Sequence, residues 1–197
     1  VVALETQEIT HAAVLDADAL LVRSETHVGR DLLKGTRVRF VGTSTIGTDH
    51  VDTSYLEQQQ ISFVSAPGSN ANSVAEYIVA SLLVLSKRFG FDLKGKTLGI
   101  VGVGNVGSIV ARYAEALSLN VLQNDPPLAR KTGNPVYKSL DDLMQADMIT
   151  LHVPLTKSGP DTTYHLFDRQ RIEQMKEGSI LINTSRGSVV ETEAIRN

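Results

Sequence analysis

The chain has no cysteine. Disulfides and thiolate chemistry are therefore excluded, which fits a reducing compartment, and the cytoplasm is the expected location. Long apolar runs are missing too. The most apolar stretch, residues 77–85, is too short to span a bilayer, so no membrane partner is expected. Positive charge is not in excess either: 19 Lys and Arg stand against 22 Asp and Glu, a net charge of −3. The basic residues are scattered, which argues against a nucleic-acid surface. No signal-peptide pattern, internal repeat or low-complexity segment is visible in these 197 residues. What is present is an apolar fraction of 42%, ordinary for a real core, in a length that suits one large domain or two small ones.

Short β-rich runs alternate with helical ones. This is the pattern of parallel sheets with crossover helices, so the expected fold class is α/β. Strands are predicted over residues 1–4, 19–23, 38–42, 61–65, 98–101, 121–122, 148–152 and 179–183. Helices are predicted over 52–59 (capped by Asp52), 72–88, 105–117, 139–146 (capped by Ser139) and 168–175, with another beginning at the terminal TEAIRN. Val74, Ala75, Ile78, Leu82 and Leu85 give the 72–88 segment its helical period. That helix reads as a connector dividing residues 1–90 from 91–197. Both ends look cut. The first residue is Val1, not Met, and the chain stops at Asn197 as a helix starts, so a longer polypeptide is expected.

The segment 96–125 carries a dinucleotide fingerprint. After a buried strand, Gly102, Gly104 and Gly107 follow at G-x-G-x-x-G spacing, then an amphipathic helix, a second strand and Asp125. Gly102 permits a tight turn, Gly104 close approach to a pyrophosphate, and Gly107 close helix–strand packing. The helix N-terminus, with free N–H groups and partial positive charge, faces the phosphates. Asp125 can accept from a ribose 2′-hydroxyl and would repel a 2′-phosphate. The nearest following base is Arg130, so NAD is favoured over NADP.

Three stretches past the predicted strands, SAPGSNANSVAEY (65–77), LHVPLT (151–156) and LINTSRGSVV (181–190), resemble the D-2-hydroxyacid dehydrogenases. The resemblance runs over nearly the whole chain. VRSETHV (22–28), FVGTSTIGTDHVD (40–52) and PLTKSGPDTTYHL (154–166) are similar to one branch of that family, which oxidises a small phosphorylated 2-hydroxy acid. The resemblance implies two parallel-sheet α/β domains. One is a flavodoxin-like substrate domain over 1–90, lacking its first strand, and the other a truncated Rossmann NAD-binding domain over 91–197. It also implies NAD as cofactor and a homodimer of the complete polypeptide.

By the same resemblance Arg186 is the catalytic arginine, and Ser24 and Thr45 bind substrate. From the residues themselves, Arg23 reads either as a further anion partner or as one half of a structural ion pair, and Ile46 and Gly47 can offer backbone N–H groups to the carboxylate. Gly102, Gly104, Asn105, Val106, Gly107, Asp125, Val153, Thr184, Ser185 and Arg186 bind the cofactor. Val153 departs from a threonine frequent in the family, which costs a hydroxyl but leaves a backbone contact. The family's histidine base and its glutamate partner fall beyond Asn197, so these residues alone are expected to be inactive. None of His11, His27, His50, His152 and His165 stands at the matching place. His50 with Asp49 and Asp52 reads as a loop and helix cap, with no metal expected. His152 reads as structural, and His165 as a hydrogen-bonding loop residue. Two alternatives stay open: a sister enzyme acting on phosphoglycerate or hydroxypyruvate, and a non-catalytic NAD-sensing module like the family's co-repressor members.

Overall fold

The computed structural model describes residues 1–45 and 47–196. Ile46, expected to offer a backbone N–H, lies outside the described residues. The chain divides into two compact units, Val1–Asn70 and Ala71–Asn197.

In the first unit, helices α1 (His11–Val14), α2 (Arg30–Leu33) and α3 (Thr53–Gln58) alternate with strands β1 (Ala19–Val22), β2 (Phe40–Thr43) and β3 (Ser62–Ser65). The strands form a parallel sheet in the order β1-β2-β3. Asp52 caps α3 by accepting the Tyr55 N–H at 3.0 Å, as the sequence indicates. Leu20, Val22, Val41, Leu32 and Leu56 make one buried cluster on one side of the sheet. Residues 1–4, expected to be a strand, are irregular, and Val1, Val2 and Leu4 are exposed. An apolar run with no ladder partner has its N–H and C=O groups better served by water than by an unpaired extended conformation.

The second unit begins with α4 (Ala71–Phe89), followed by β4 (Thr97–Val101), α5 (Asn105–Ala116), β5 (Asn120–Asn124), α6 (Pro126–Thr132) and α7 (Leu140–Leu143). It continues with β6 (Met148–Leu151), α8 (Arg169–Gln174) and β7 (Ile180–Asn183), then 3-10 turns at Gly187–Val189 and Thr192–Ile195. All four strands are parallel, in the order β5-β4-β6-β7. The terminal helix expected from TEAIRN is only the last of these 3-10 turns.

Alternate residues of the central strands feed two cores. Leu98, Ile100 and Met148 pack with α4 and α5 through Ala75, Ile78, Leu82, Val110 and Ala114. Val101, Ile149 and Leu151 pack with Leu143 of α7, Phe167 and Val189. This explains where α4 belongs. Its apolar stripe is buried in the second unit's core, so the compact units part at residue 70, ahead of the helix that the sequence reading treats as a connector ending near 90.

The N-terminal edge of the second sheet is tied by Asp147. It accepts the Thr97 N–H at 2.8 Å and the Lys176 ammonium at 2.6 Å, and Lys96 lies 3.5 Å away. These partners, Lys176 first, hold its carboxyl below the usual carboxylate range. The opposite edge is left to the loops that carry the candidate residues.

Candidate active site

The β4–α5 turn is shaped by two glycines that the protein itself requires. Gly102 has φ +86°, and a Cβ there would lie 2.7 Å from the His152 carbonyl oxygen. A Cβ on Gly107 would overlap the Gly102 carbonyl oxygen. Gly104 differs: it is exposed, with no protein atom within 4 Å of a Cβ built on it. Nothing in the protein's packing calls for glycine there, whereas a ligand backed against the turn does. Gly104 is also the N-cap of the 12-residue α5 and supplies no side-chain cap. The first-turn N–H groups, with Asn105 exposed and Val106 half-buried beside them, are thus presented for an anion.

Asp125 stands at the end of β5, on the flank of this turn. Its Oδ2 accepts the Val103 N–H at 2.8 Å and its Oδ1 the Leu128 N–H at 2.9 Å, which makes it the N-cap of α6. Each carboxylate oxygen keeps a second lone pair for a hydroxyl donor. Arg130, the nearest base, is held by both carboxylate oxygens of Asp161, with Nη1–Oδ1 at 3.0 Å. The turn and Asp125 together fit the pyrophosphate and adenosine ribose of NAD.

The ends of β6 and β7 hold a second group. Val153 is half-buried and reaches toward Gly102. His152 is flanked by two threonine hydroxyls, Thr150 Oγ1 at 3.0 Å from Nε2 and Thr184 Oγ1 at 3.0 Å from Nδ1. Burial pushes its pKa from 6.5 down to about 4. Beyond β7, the Asn183 side chain closes a tight turn. Its Oδ1 accepts the Ser185 N–H at 2.9 Å and the Ser185 hydroxyl at 2.8 Å, while its Nδ2 donates to the Arg186 carbonyl at 2.9 Å. The half-buried Arg186 follows, with Nη1 3.4 Å from the Ser185 carbonyl. Sequence reasoning ends a strand at Asn183, facing the cofactor crevice, but gives it no role in this turn. The available signal is the Asn-x-Ser spacing at a strand end, which suits an Asx-turn.

In the first unit, Ser24 and Thr45 each lie two residues past a strand end, and those ends, Val22 and Thr43, are paired in register. Ser24 is exposed. The Thr45 hydroxyl donates to the Gly47 carbonyl at 2.9 Å and meets Thr43 Oγ1 at 2.8 Å. It therefore secures its own loop. Thr43 Oγ1 in turn lies 3.2 Å from the buried His50 Nε2, so the TDHVD segment is knitted to the end of β2. His165 has φ +51° and stacks on Tyr164 at 4.0 Å.

Two partly open clefts lie away from the strand-end residues of the second unit. One of about 410 Å³ in the first unit is bordered by His27, Arg30 and Asp52. Another of about 220 Å³ at the N-terminal edge of the second sheet is bordered by Lys96, Asp147 and Lys176. Among the described residues no helix is long and apolar enough to cross a membrane.

Comparison with known proteins agrees with this geometry. Residues 61–197 match the family of the D-isomer specific 2-hydroxyacid dehydrogenase, NAD binding domain. The chain is 52% identical over 195 residues to the erythronate-4-phosphate dehydrogenase of Salinibacter ruber, covering 96% of this chain and 50% of that one. It is 50% identical over 194 residues to that of Cronobacter sakazakii, covering 98% and 51%. The chain thus spans about half the length of the curated relatives it matches. Among solved structures, D-lactate dehydrogenase from Aquifex aeolicus, complexed with NAD and lactic acid, superposes with a TM-score of 0.78 at 33% identity, over 95% of this chain and 62% of that one. The NAD⁺-bound 3-phosphoglycerate dehydrogenase of Entamoeba histolytica gives 0.82 at 28% identity, over 98% and 63%. The chain belongs to the D-isomer specific 2-hydroxyacid dehydrogenases, and its second unit is their NAD-binding domain.

Proposed function

We propose that the complete polypeptide oxidises the 2-hydroxyl of 4-phospho-D-erythronate to the ketone, giving 2-oxo-3-hydroxy-4-phosphobutanoate, with NAD as acceptor. One observation carries the substrate. Identity of about half to relatives named erythronate-4-phosphate dehydrogenase extends over 96–98% of the chain, and so through the first unit as well as the NAD-binding one. In a family with many substrates, that first unit is where selectivity is expected to be built. The reading places the enzyme in the formation of pyridoxal 5′-phosphate (vitamin B6), and in the cytoplasm.

The bound nicotinamide supplies the hydride acceptor. The first turn of α5 holds the pyrophosphate, Asp125 receives the adenosine ribose, and Val153, Thr184 and Ser185 line the nicotinamide side. Arg186, a planar and permanently charged donor, grips the substrate carboxylate and 2-oxygen and stabilises negative charge on that oxygen as C2–H bond breaking proceeds. Ser24 contributes a hydroxyl to the substrate's anionic groups, while Thr45 holds its loop in shape through Gly47. The hydroxyl proton goes to a histidine beyond position 197, for which the greater length of the relatives leaves room. His152, with a pKa near 4, is too weak a base for that role.

A homodimer of the complete polypeptide is part of this reading. It is supported by the outer face of α4, where Tyr77 and Val84 are each 63% exposed. The test of function is NADH formation by the complete polypeptide with 4-phospho-D-erythronate and with 3-phosphoglycerate in parallel. Turnover confined to the first is expected. Preference for 3-phosphoglycerate would give the substrate to the sister class, and tight NAD binding without turnover of either would mean a sensing module.

A further inference from the structure

We infer that His152 is a positioning residue, the centre of a hydrogen-bonded relay from Thr150 to Thr184 that presets the turn carrying Arg186. The inference rests on the proposed dehydrogenase reading for its kinetic consequences and on geometry for the relay itself.

The donors can be ordered. The Thr184 hydroxyl donates to the Leu151 carbonyl, at 3.4 Å. Its oxygen then receives a proton from His152 Nδ1, 3.0 Å away. The ring must therefore be the Nδ1–H tautomer, and its bare Nε2 accepts from the Thr150 hydroxyl, also at 3.0 Å. Thr150 is fully buried in β6, so the relay starts from a fixed point in the sheet. It ends one residue past β7, two residues before Arg186. The His152 backbone is equally engaged. Its N–H donates to the Val101 carbonyl at 2.7 Å, at the end of β4, and its carbonyl lies under Gly102. One residue thus links the carboxyl ends of β4, β6 and β7. Asn183 closes the same turn from its other side, holding Ser185 and the Arg186 carbonyl.

A neutral imidazole is required, since a charged ring would have two donors and Nε2 could no longer accept from Thr150. Burial alone depresses its pKa to about 4, with no charged side chain contributing. The ring therefore stays neutral across the physiological range. The relay is fixed before any substrate arrives, and a small error in where it sets the arginine is costly to rate.

The test uses the complete polypeptide and compares His152→Phe, Thr150→Val and Thr150→Ser. The expected result is a fall in kcat of about 100-fold for His152→Phe and about 10-fold for Thr150→Val, with Thr150→Ser recovering most of the latter. The Kd for NADH should move less than about threefold, because the pyrophosphate and ribose contacts lie elsewhere. The double variant His152→Phe/Thr150→Val should be no slower than His152→Phe alone, since both break one relay. A histidine that serves folding only would lower the melting temperature and leave kcat per folded molecule unchanged. A kcat for His152→Phe within about twofold of the parent, or equal rates for Thr150→Val and Thr150→Ser, would overturn the inference. Should the parent fail to oxidise 4-phosphoerythronate, the substrate reading falls, and nitrogen-15 NMR of the imidazole decides the relay separately. A neutral Nδ1–H ring at about pH 6, with an Nε2 shift that changes in Thr150→Val, supports it. An Nε2–H or charged ring overturns it.

Discussion

The two sheets of this chain are both parallel, yet they are covered differently. In β6 all four residues are buried, and β4 is buried at four of its five. In β1 burial alternates: Leu20 and Val22 lie inside, whereas Leu21 is 75% exposed, and on β3 Val64 is 55% exposed. The second sheet has a core on each face; the first has a single cluster on one. Parallel sheets are normally covered on both sides. The contrast teaches that the second sheet is covered on both faces among the described residues, while the first carries an apolar face able to take another layer. Gly42 accentuates this, since its missing Cβ leaves room for the Leu21 side chain to lie flat over the sheet.

The comparison can be broken from either side. The largest effect is expected for Gly107→Ala, whose Cβ has no room against the Gly102 carbonyl. It should destabilise the second unit by more than about 4 kcal/mol and abolish NADH binding, read by thermal melting and by NADH fluorescence. Retained binding would show that the turn can relax and that the glycine is dispensable.

Leu151→Ala and Leu21→Ala form a matched pair. The first, fully buried, should cost about 2–5 kcal/mol. The second should cost within about 0.5 kcal/mol in these 197 residues. Equal losses in denaturant titrations would mean that the outer face of the first sheet is already covered.

Acid sharpens the contrast, because His152 belongs to the second unit. Its folded pKa of about 4 lies below the 6.5 of the unfolded chain. The unfolded state takes up the proton first, so stability is full above about pH 6.5 and declines as pH falls toward 4. The loss is on the order of 3 kcal/mol and levels off below that range. Replacing His152 with Phe should flatten the profile over this window; an unchanged slope would assign the acid sensitivity to other groups.

Asp125→Ala is the mildest. It should shift the ratio of NAD to NADP affinity by about 10-fold, or 1.4 kcal/mol, while leaving the first unit untouched. An unchanged ratio in binding titrations would remove Asp125 from the ribose.

Much of this architecture was legible in the sequence because it rests on local rules. The G-x-G-x-x-G turn, the apolar strands other than the one expected over residues 1–4, and the caps at Asp52 and Ser139 all occur where the pattern puts them. What the sequence does not show is where tertiary context decides. Helix α6, which the sequence analysis does not predict, opens at Pro126 and Pro127, and proline fits a first turn once Asp125 caps it. Residues 1–4 have strand composition and no ladder partner. The placement of α4 depends on which core receives Ala75, Ile78 and Leu82, and periodicity does not tell one core from another. At the site, the contact of the Thr45 hydroxyl with the Gly47 carbonyl depends on the loop's fold and is not legible in the sequence. His152 reads as structural, and the structure shows it held by two threonines brought together by the β6–β7 pairing, one of them 32 residues away.

The central claim is that Arg186, at the end of the second sheet, acts on a 2-hydroxy acid beside NAD held by the β4–α5 turn. The most direct measurement is the rate of NADH formation from 4-phospho-D-erythronate by the complete polypeptide and by its Arg186→Ala variant, with NADH affinity measured on both. The account predicts turnover in the parent, a loss of several orders of magnitude in the variant (as for loss of a charge-stabilising donor that also orients the substrate) and nearly equal NADH affinity. Comparable rates in the two proteins would contradict it.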